Sequence, residues 1–182
     1  MGTMLVLTVT ATDHPGIVDC LSRVVFEHGG NWLESRMVRL GGVFAGLVQI
    51  EVAAERAAKL TAGLSALCGS EMSVAICEAK ADDPYRGWRR LGLELTGADH
   101  EGIVQGVTNF LAEQGVNVED LTTGVGHAPH SGGPLFSARA RLRCPAAQNV
   151  DELRSNLEEL ASRLGVDVTL EDAGPAPFHP AR

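Results

Sequence analysis

The 182 residues hold little that would mark an enzyme, a secreted protein or a membrane protein at first sight. Aromatic residues make up only 4% of the chain, against 45% hydrophobic residues overall, so the core must be built from aliphatic side chains. That is globular content, sufficient for one large domain or two small ones, and it excludes disorder. No apolar run reaches the roughly 18 residues needed to span a bilayer, and the opening "MGTMLVLTVT" has neither a basic start nor a small-residue cleavage site. Val6 stands where a myristoylation signal needs Ser or Thr. A cytoplasmic protein with no membrane association is expected.

Cysteine is scarce and badly spaced for metal. Cys20, Cys68, Cys77 and Cys144 form no CxxC pair and lie in or beside apolar runs, which predicts reduced, buried thiols. Positive charge is also in short supply. The formal net charge is −8, split as −2 over residues 1–80 (six basic, eight acidic) and −6 over residues 81–182 (nine basic, fifteen acidic). With no basic helix stripe, that balance argues against direct binding of nucleic acid. Phosphate loops of the GxxxxGK[ST] kind are absent. His127 and His130 have a chelating spacing, but their Gly/Pro-rich surroundings offer no third ligand, and no metal or cofactor is expected.

What the chain does have, it has twice. "TDHPGIV" at 12–18 returns as "ADHEGIV" at 98–104. A shift of 86 aligns Leu7 with Leu93, Glu27 with Glu113, Gly29 with Gly115 and Asn31 with Asn117. From Phe44 and Phe136 onward the spacing is 92, so the second copy carries six extra residues, placed at "GHAPHSGGP", residues 126–134. In each copy an alternating run (Leu5, Leu7, Val9; Leu91, Leu93, Leu95) predicts a strand, and Ile17, Leu21 and Val25 predict a helix that Gly29 ends. A Gly41-Gly42 turn then joins two further strands. Leu60, Leu64 and Leu67, matched by Leu153, Leu157 and Leu160, predict a second helix before a last strand. The order is βαββαβ twice, an α+β fold of two ferredoxin-like units with helices on one face of an antiparallel sheet. The expected boundaries are 1–80 and 88–172, with a linker at 81–87 and a loose proline-rich tail at 173–182.

The repeated stretch falls at the turn from first strand to first helix. Asp13 and Asp99 are candidate N-caps, Pro15 suits a first helical turn, and Gly16 and Gly102 leave backbone uncovered for close approach by a ligand. Any well-made turn also uses these residue types, so a folding role and a binding role both remain open. Glu101 replaces Pro15 in the second copy, and its charge is expected to make the first turn the better carboxylate site. Arg139, Arg141 and Arg143 alternate along one strand face, either as solvated partners of acids such as Glu94 or as a docking surface.

Asp-x-x-Gly-Ile-Val at the first turn, with Gly-x-Asn after the helix, resembles the ACT domain. Two such units in tandem resemble the glycine cleavage system transcriptional repressor family. The resemblance covers about residues 3–172 and implies a non-enzymatic regulator that binds a small amino acid such as glycine. It implies action through a protein partner, a transcription regulator among the candidates, and no direct contact with nucleic acid. The ligand-binding residues it implies are Asp13, His14, Pro15, Gly16, Ile17 and Asn31, with Asp99, His100, Gly102, Ile103 and Asn117 in the second copy. A homo-oligomer is expected, since exposed-parity positions of the first sheet include Ala45 and Leu47. The alternative is a regulatory fragment or relative of an amino-acid or formyltetrahydrofolate-metabolising enzyme, against which the length weighs, because two units use up the 182 residues.

Overall fold

The computed structural model describes residues 2–69, 71–79, 83–127 and 133–172. The expected tail at 173–182, His130 and most of the 126–134 loop lie outside them. The chain divides into two compact units, Met1–Asp82 and Asp83–Arg182.

Unit one runs β1 (Gly2–Thr12), α1 (Ile17–Glu27), β2 (Asn31–Leu40), β3 (Val43–Ala53), α2 (Ala54–Ser65) and β4 (Met72–Glu78). Unit two repeats the order with β5 (Arg89–Ala98), α3 (Ile103–Glu113), β6 (Asn117–His127), β7 (Pro134–Cys144), α4 (Val150–Leu164) and β8 (Val166–Asp172). The sheets are ordered β2-β3-β1-β4 and β6-β7-β5-β8, with every ladder antiparallel. These are two ferredoxin-like units in tandem.

The aliphatic periods account for the cores. In unit one Leu7, Val9 and Ile50 of the sheet bury against Leu21 of α1 and Leu60 and Leu64 of α2, all fully enclosed. In unit two Leu91 and Leu142 meet Leu111 of α3 and Leu153 and Leu157 of α4. Each such side chain contributes about 1.5–3 kcal/mol on leaving water, enough to fix which sheet face takes the helices. Of the thiols only Cys144 is buried. Cys77 on the edge strand β4 and Cys68 in the connection between α2 and β4 are exposed and Cys20 is half-buried, which corrects the expectation of four buried cysteines. Burial pushes the Cys144 thiol up.

The turns around the cores are the ones the glycines specify. Gly41 and Gly42 both take positive φ, 59° and 84°, which closes the β2–β3 hairpin. One edge strand of each sheet carries a register shift at matching places, around Leu33 in β2 and Glu119 in β6. Residues 83–88, within or beside the expected linker, form turns in which the Tyr85 and Trp88 rings meet edge to face at 5.0 Å.

The open sheet faces differ in chemistry. The first exposes Val38, Leu40, Val43 and Leu47. The second carries arginines, each with acids: Arg139 with Glu94 at 3.1 Å, Arg141 with Asp120 at 3.1 Å, and Arg143 with Glu119. The solvated ion-pair reading thus describes Arg139 and Arg141, while Arg143 departs from it. It is only 9% exposed, because the shift in β6 turns the Glu119 carboxylate toward its guanidinium.

Candidate functional site

The turn between β1 and α1 is built on an unusual helix start. Gly16 is the residue before the first helical position and takes φ 99°, a left-handed conformation that costs most residues about 1–2 kcal/mol. Gly102 does the same before α3, with φ 92°. Neither helix receives a side-chain cap, so the expectation that Asp13 and Asp99 are N-caps is corrected, and Pro15 lies in the turn before the helix instead of in its first turn. The reason is the glycine itself. Its left-handed φ turns the chain in one residue, leaving Asp13 and Asp99 too far back to reach the first N–H groups. Those N–H groups have no intrahelical partner. A Cβ built on either glycine would meet nothing within 4 Å, so the backbone there faces open space.

The aspartates serve elsewhere. The carboxylate of Asp13 accepts from the Arg39 guanidinium near the end of β2, an ion pair spanning 26 residues that ties the turn to the hairpin. Among the described residues Asp99 has no such ion pair, and Val125 occupies the place in β6 that Arg39 holds in β2. Arg39 is the residue at this turn that sequence reasoning missed. Its signal was position: it lies just before the Gly-Gly turn, whose Gly42 carbonyl accepts from the Asp13 N–H at 3.0 Å.

The histidines also diverge. His14 places Nδ1 2.9 Å from the Pro15 carbonyl. His100 places Nδ1 2.9 Å from the Glu101 carbonyl and Nε2 2.7 Å from the carbonyl of Leu164, the last residue of α4. Two carbonyl acceptors satisfy both ring nitrogens only when both carry protons, so the imidazolium is favoured. The Glu101 carbonyl bond and then the Leu164 bond raise the His100 pKa above its usual value, with Asp99 adding to them.

Glu101 lies before the α3 start and not within its first turn, whereas α1 has Asp19 in its first turn, ion-paired with Arg23.

Ile17 and Ile103 are the first helical residues and are buried, fixing the helix starts to the core. Asn31 and Asn117 lie apart from the turns. Asn31 is level with Glu51 and Met4, eight residues along β1 from Thr12, or about 26 Å at strand spacing. Asn117 stands level with Arg143 and Arg90, equally far from Ala98. An eleven-residue helix runs back along the sheet and delivers its asparagine to the far end, where Asn31 borders a polar hollow of about 380 Å³ with Gly29, Glu51 and Glu55. Within one unit the structure therefore gathers Asp13, His14, Pro15, Gly16 and Ile17 into one place and leaves Asn31 outside it.

Among the described residues no group of three His, Cys, Asp or Glu side chains is placed to hold a metal, and no helix is long and apolar enough to cross a membrane.

Two βαββαβ units, each with an uncapped, glycine-opened helix start, define a tandem of ferredoxin-like modules. The sequence pattern of the ACT domain matches residues 3–76 and 90–171, and the chain belongs to the ACT domain family. ACT domains are small-molecule-sensing regulatory domains that bind amino acids. A UPF0237 protein of Methanopyrus kandleri is 32% identical over 83 residues, 45% of this chain and 86% of its own length. An unknown protein from Galdieria sulphuraria has a crystal structure similar over 96% of this chain and all of its own, with TM-score 0.84 and 29% identity. A protein described as a glycine cleavage system transcriptional repressor shares the fold over 94% of this chain and 97% of its own, with TM-score 0.67 and 21% identity.

Proposed function

We propose that the chain is a non-enzymatic sensor of a small amino acid, glycine being the first to test, whose occupied state changes its association with a protein partner in transcriptional control. The supporting observation is the pair of helix starts. Each leaves its first N–H groups without a side-chain cap, beside a glycine over which the space is open. A carboxylate is the group such a start accepts. The apolar open face of the first sheet gives self-association its surface.

The test is calorimetry on the full chain with the twenty amino acids, repeated on Gly16→Val and Gly102→Val with thermal melts beside each. A valine at either position covers the backbone and opposes the left-handed φ. Binding should be lost at the substituted turn and kept at the other. Tight binding that survives both substitutions in folded protein would show that the turns are folding devices only.

A further inference from the structure

Unit two contains an apolar cleft. It lies between α3 and the edge strand β6, begins at Ile103 and Val104 in the first turn of α3, and continues past Thr108 to Leu121, Thr123 and Ala138. Its cavity volume is about 30 Å³, its exposed lining is entirely apolar, and Val104 and Leu121 stay 42% and 44% exposed at its rim. Large aliphatic side chains left half in water beside an unfilled cavity forgo contacts that a ligand's carbon atoms would supply.

In unit one the corresponding place is occupied by side chains. The counterparts of Thr123 and Ala138 are Met37 and Gly46. Met37 is packed against the core of unit one and lies so close to Gly46 that a Cβ there would fall 2.5 Å from its Cγ. The long Met side chain fills what Thr123 leaves empty. Ser35 replaces Leu121, and Arg39, held by Asp13, replaces Val125, so the first copy has a polar rim where the second has an apolar one. The same four positions thus exclude a hydrocarbon group in unit one and accept it in unit two.

We infer that the cleft of unit two receives the aliphatic side chain of an amino acid of the valine, isoleucine or leucine class, whereas unit one accommodates only a ligand without one. For the ligand's charged half this rests on the amino-acid reading above. The cleft and the β5–α3 turn share Ile103 and Val104, so one molecule can hold its carboxylate at the turn and its hydrocarbon in the cleft. A cavity this small takes a few carbon atoms and no aromatic ring. Each buried methylene is worth about fourfold in affinity, so valine or leucine should bind unit two at least tenfold more tightly than glycine.

The experiment is a titration of the full chain with glycine, alanine, valine, leucine and phenylalanine. It is followed by calorimetry and by the methyl NMR signals of Ile103, Val104 and Leu121. Valine or leucine should bind at least tenfold more tightly than glycine and move these three signals. Thr123→Met combined with Ala138→Gly installs the unit-one pair and should abolish the preference while glycine binding persists; Thr123→Leu, a smaller change to the same wall, should reduce it severalfold. Glycine binding with no aliphatic preference, or a preference unaffected by either folded variant, overturns the inference and leaves the amino-acid reading standing. Absence of binding by all five overturns the inference, and absence of binding by all twenty overturns the amino-acid reading as well.

Discussion

Replacing glycine by alanine at three places in unit two separates backbone conformation from crowding. Gly102 has φ 92° and open space where a Cβ would go, so Gly102→Ala meets strain alone. A left-handed alanine costs about 1–2 kcal/mol, and the stiffer unfolded chain returns about 0.4–1 kcal/mol, for a net loss near 1 kcal/mol. Gly92 lies on the open face with no positive φ and nothing within 4 Å, so Gly92→Ala keeps only the unfolded-state gain and should stabilise by about 0.4–1 kcal/mol. At Gly97 the new Cβ would fall 2.6 Å from Val166 Cγ1 and 2.9 Å from Val166 Cα, so the β5–β8 ladder must shift, at about 1–3 kcal/mol. Urea unfolding should therefore place Gly92→Ala above wild type and both Gly102→Ala and Gly97→Ala below it. At an m-value of about 2 kcal/mol/M the midpoint should rise by about 0.2–0.5 M in Gly92→Ala and fall by about 0.5 M in Gly102→Ala. Fluorinated tryptophan gives Trp32 and Trp88 separate NMR signals, one in each unit, so the transition of unit two is read on its own. Gly102→Asn should recover part of the loss, since asparagine tolerates the left-handed region. A Gly102→Ala midpoint equal to that of Gly92→Ala would refute the claim that left-handed geometry holds the turn.

An NMR titration should give His100 a pKa above that of a free histidine. Its contribution to stability should be full below about pH 6.5 and fade as the pH rises through the higher folded value, a dependence that His100→Gln removes; a His100 pKa at or below 6.5 would contradict the two-carbonyl geometry. Arg143→Met removes the partner of Glu119 and of the more distant Asp83, and should destabilise unit two by about 1–2 kcal/mol in urea, since the acids keep partial access to water; an unchanged midpoint would make the buried cation neutral. Asn149 accepts from the N–H groups of Asp151 and Glu152 at the start of α4, so Asn149→Ala should cost about 1 kcal/mol and Asn149→Gly only a few tenths; equal losses would assign the effect to something other than the cap.

The βαββαβ order was legible because local signals agree with one another. Leu5, Leu7 and Val9 alternate as strand residues must, Leu60 and Leu64 recur as a helix face must, and Gly41-Gly42 permits only a tight turn there. The details of the turn were not legible, since they rest on partners far apart in the chain. Asp13 reads as a cap until Arg39, 26 residues on, takes its carboxylate. His100 reads as a twin of His14 until α4 brings the Leu164 carbonyl to its other nitrogen. Asn31 reads as part of the same motif, but a helix of eleven residues is long enough to carry it to the other end of the sheet. The cleft of unit two escaped notice because no residue announces it. It comes from the exchange of a methionine for a threonine at one edge position.

The shifted registers around Leu33 and Glu119 also date events in the history of the chain. They stand 86 positions apart, the offset of the repeated turns, so the ancestral unit already had this irregularity before it was copied. The six additional residues lie beyond it, between Gly126 and Leu135, the pair that answers Leu40 and Val43. Gain or loss at that tip came after the copying, and it left every older strand pairing in place. A lineage that had lengthened the hairpin on the near side of the irregularity by an odd number would have turned its core residues out to water. The hairpin tip was the place where the two copies were free to become different proteins.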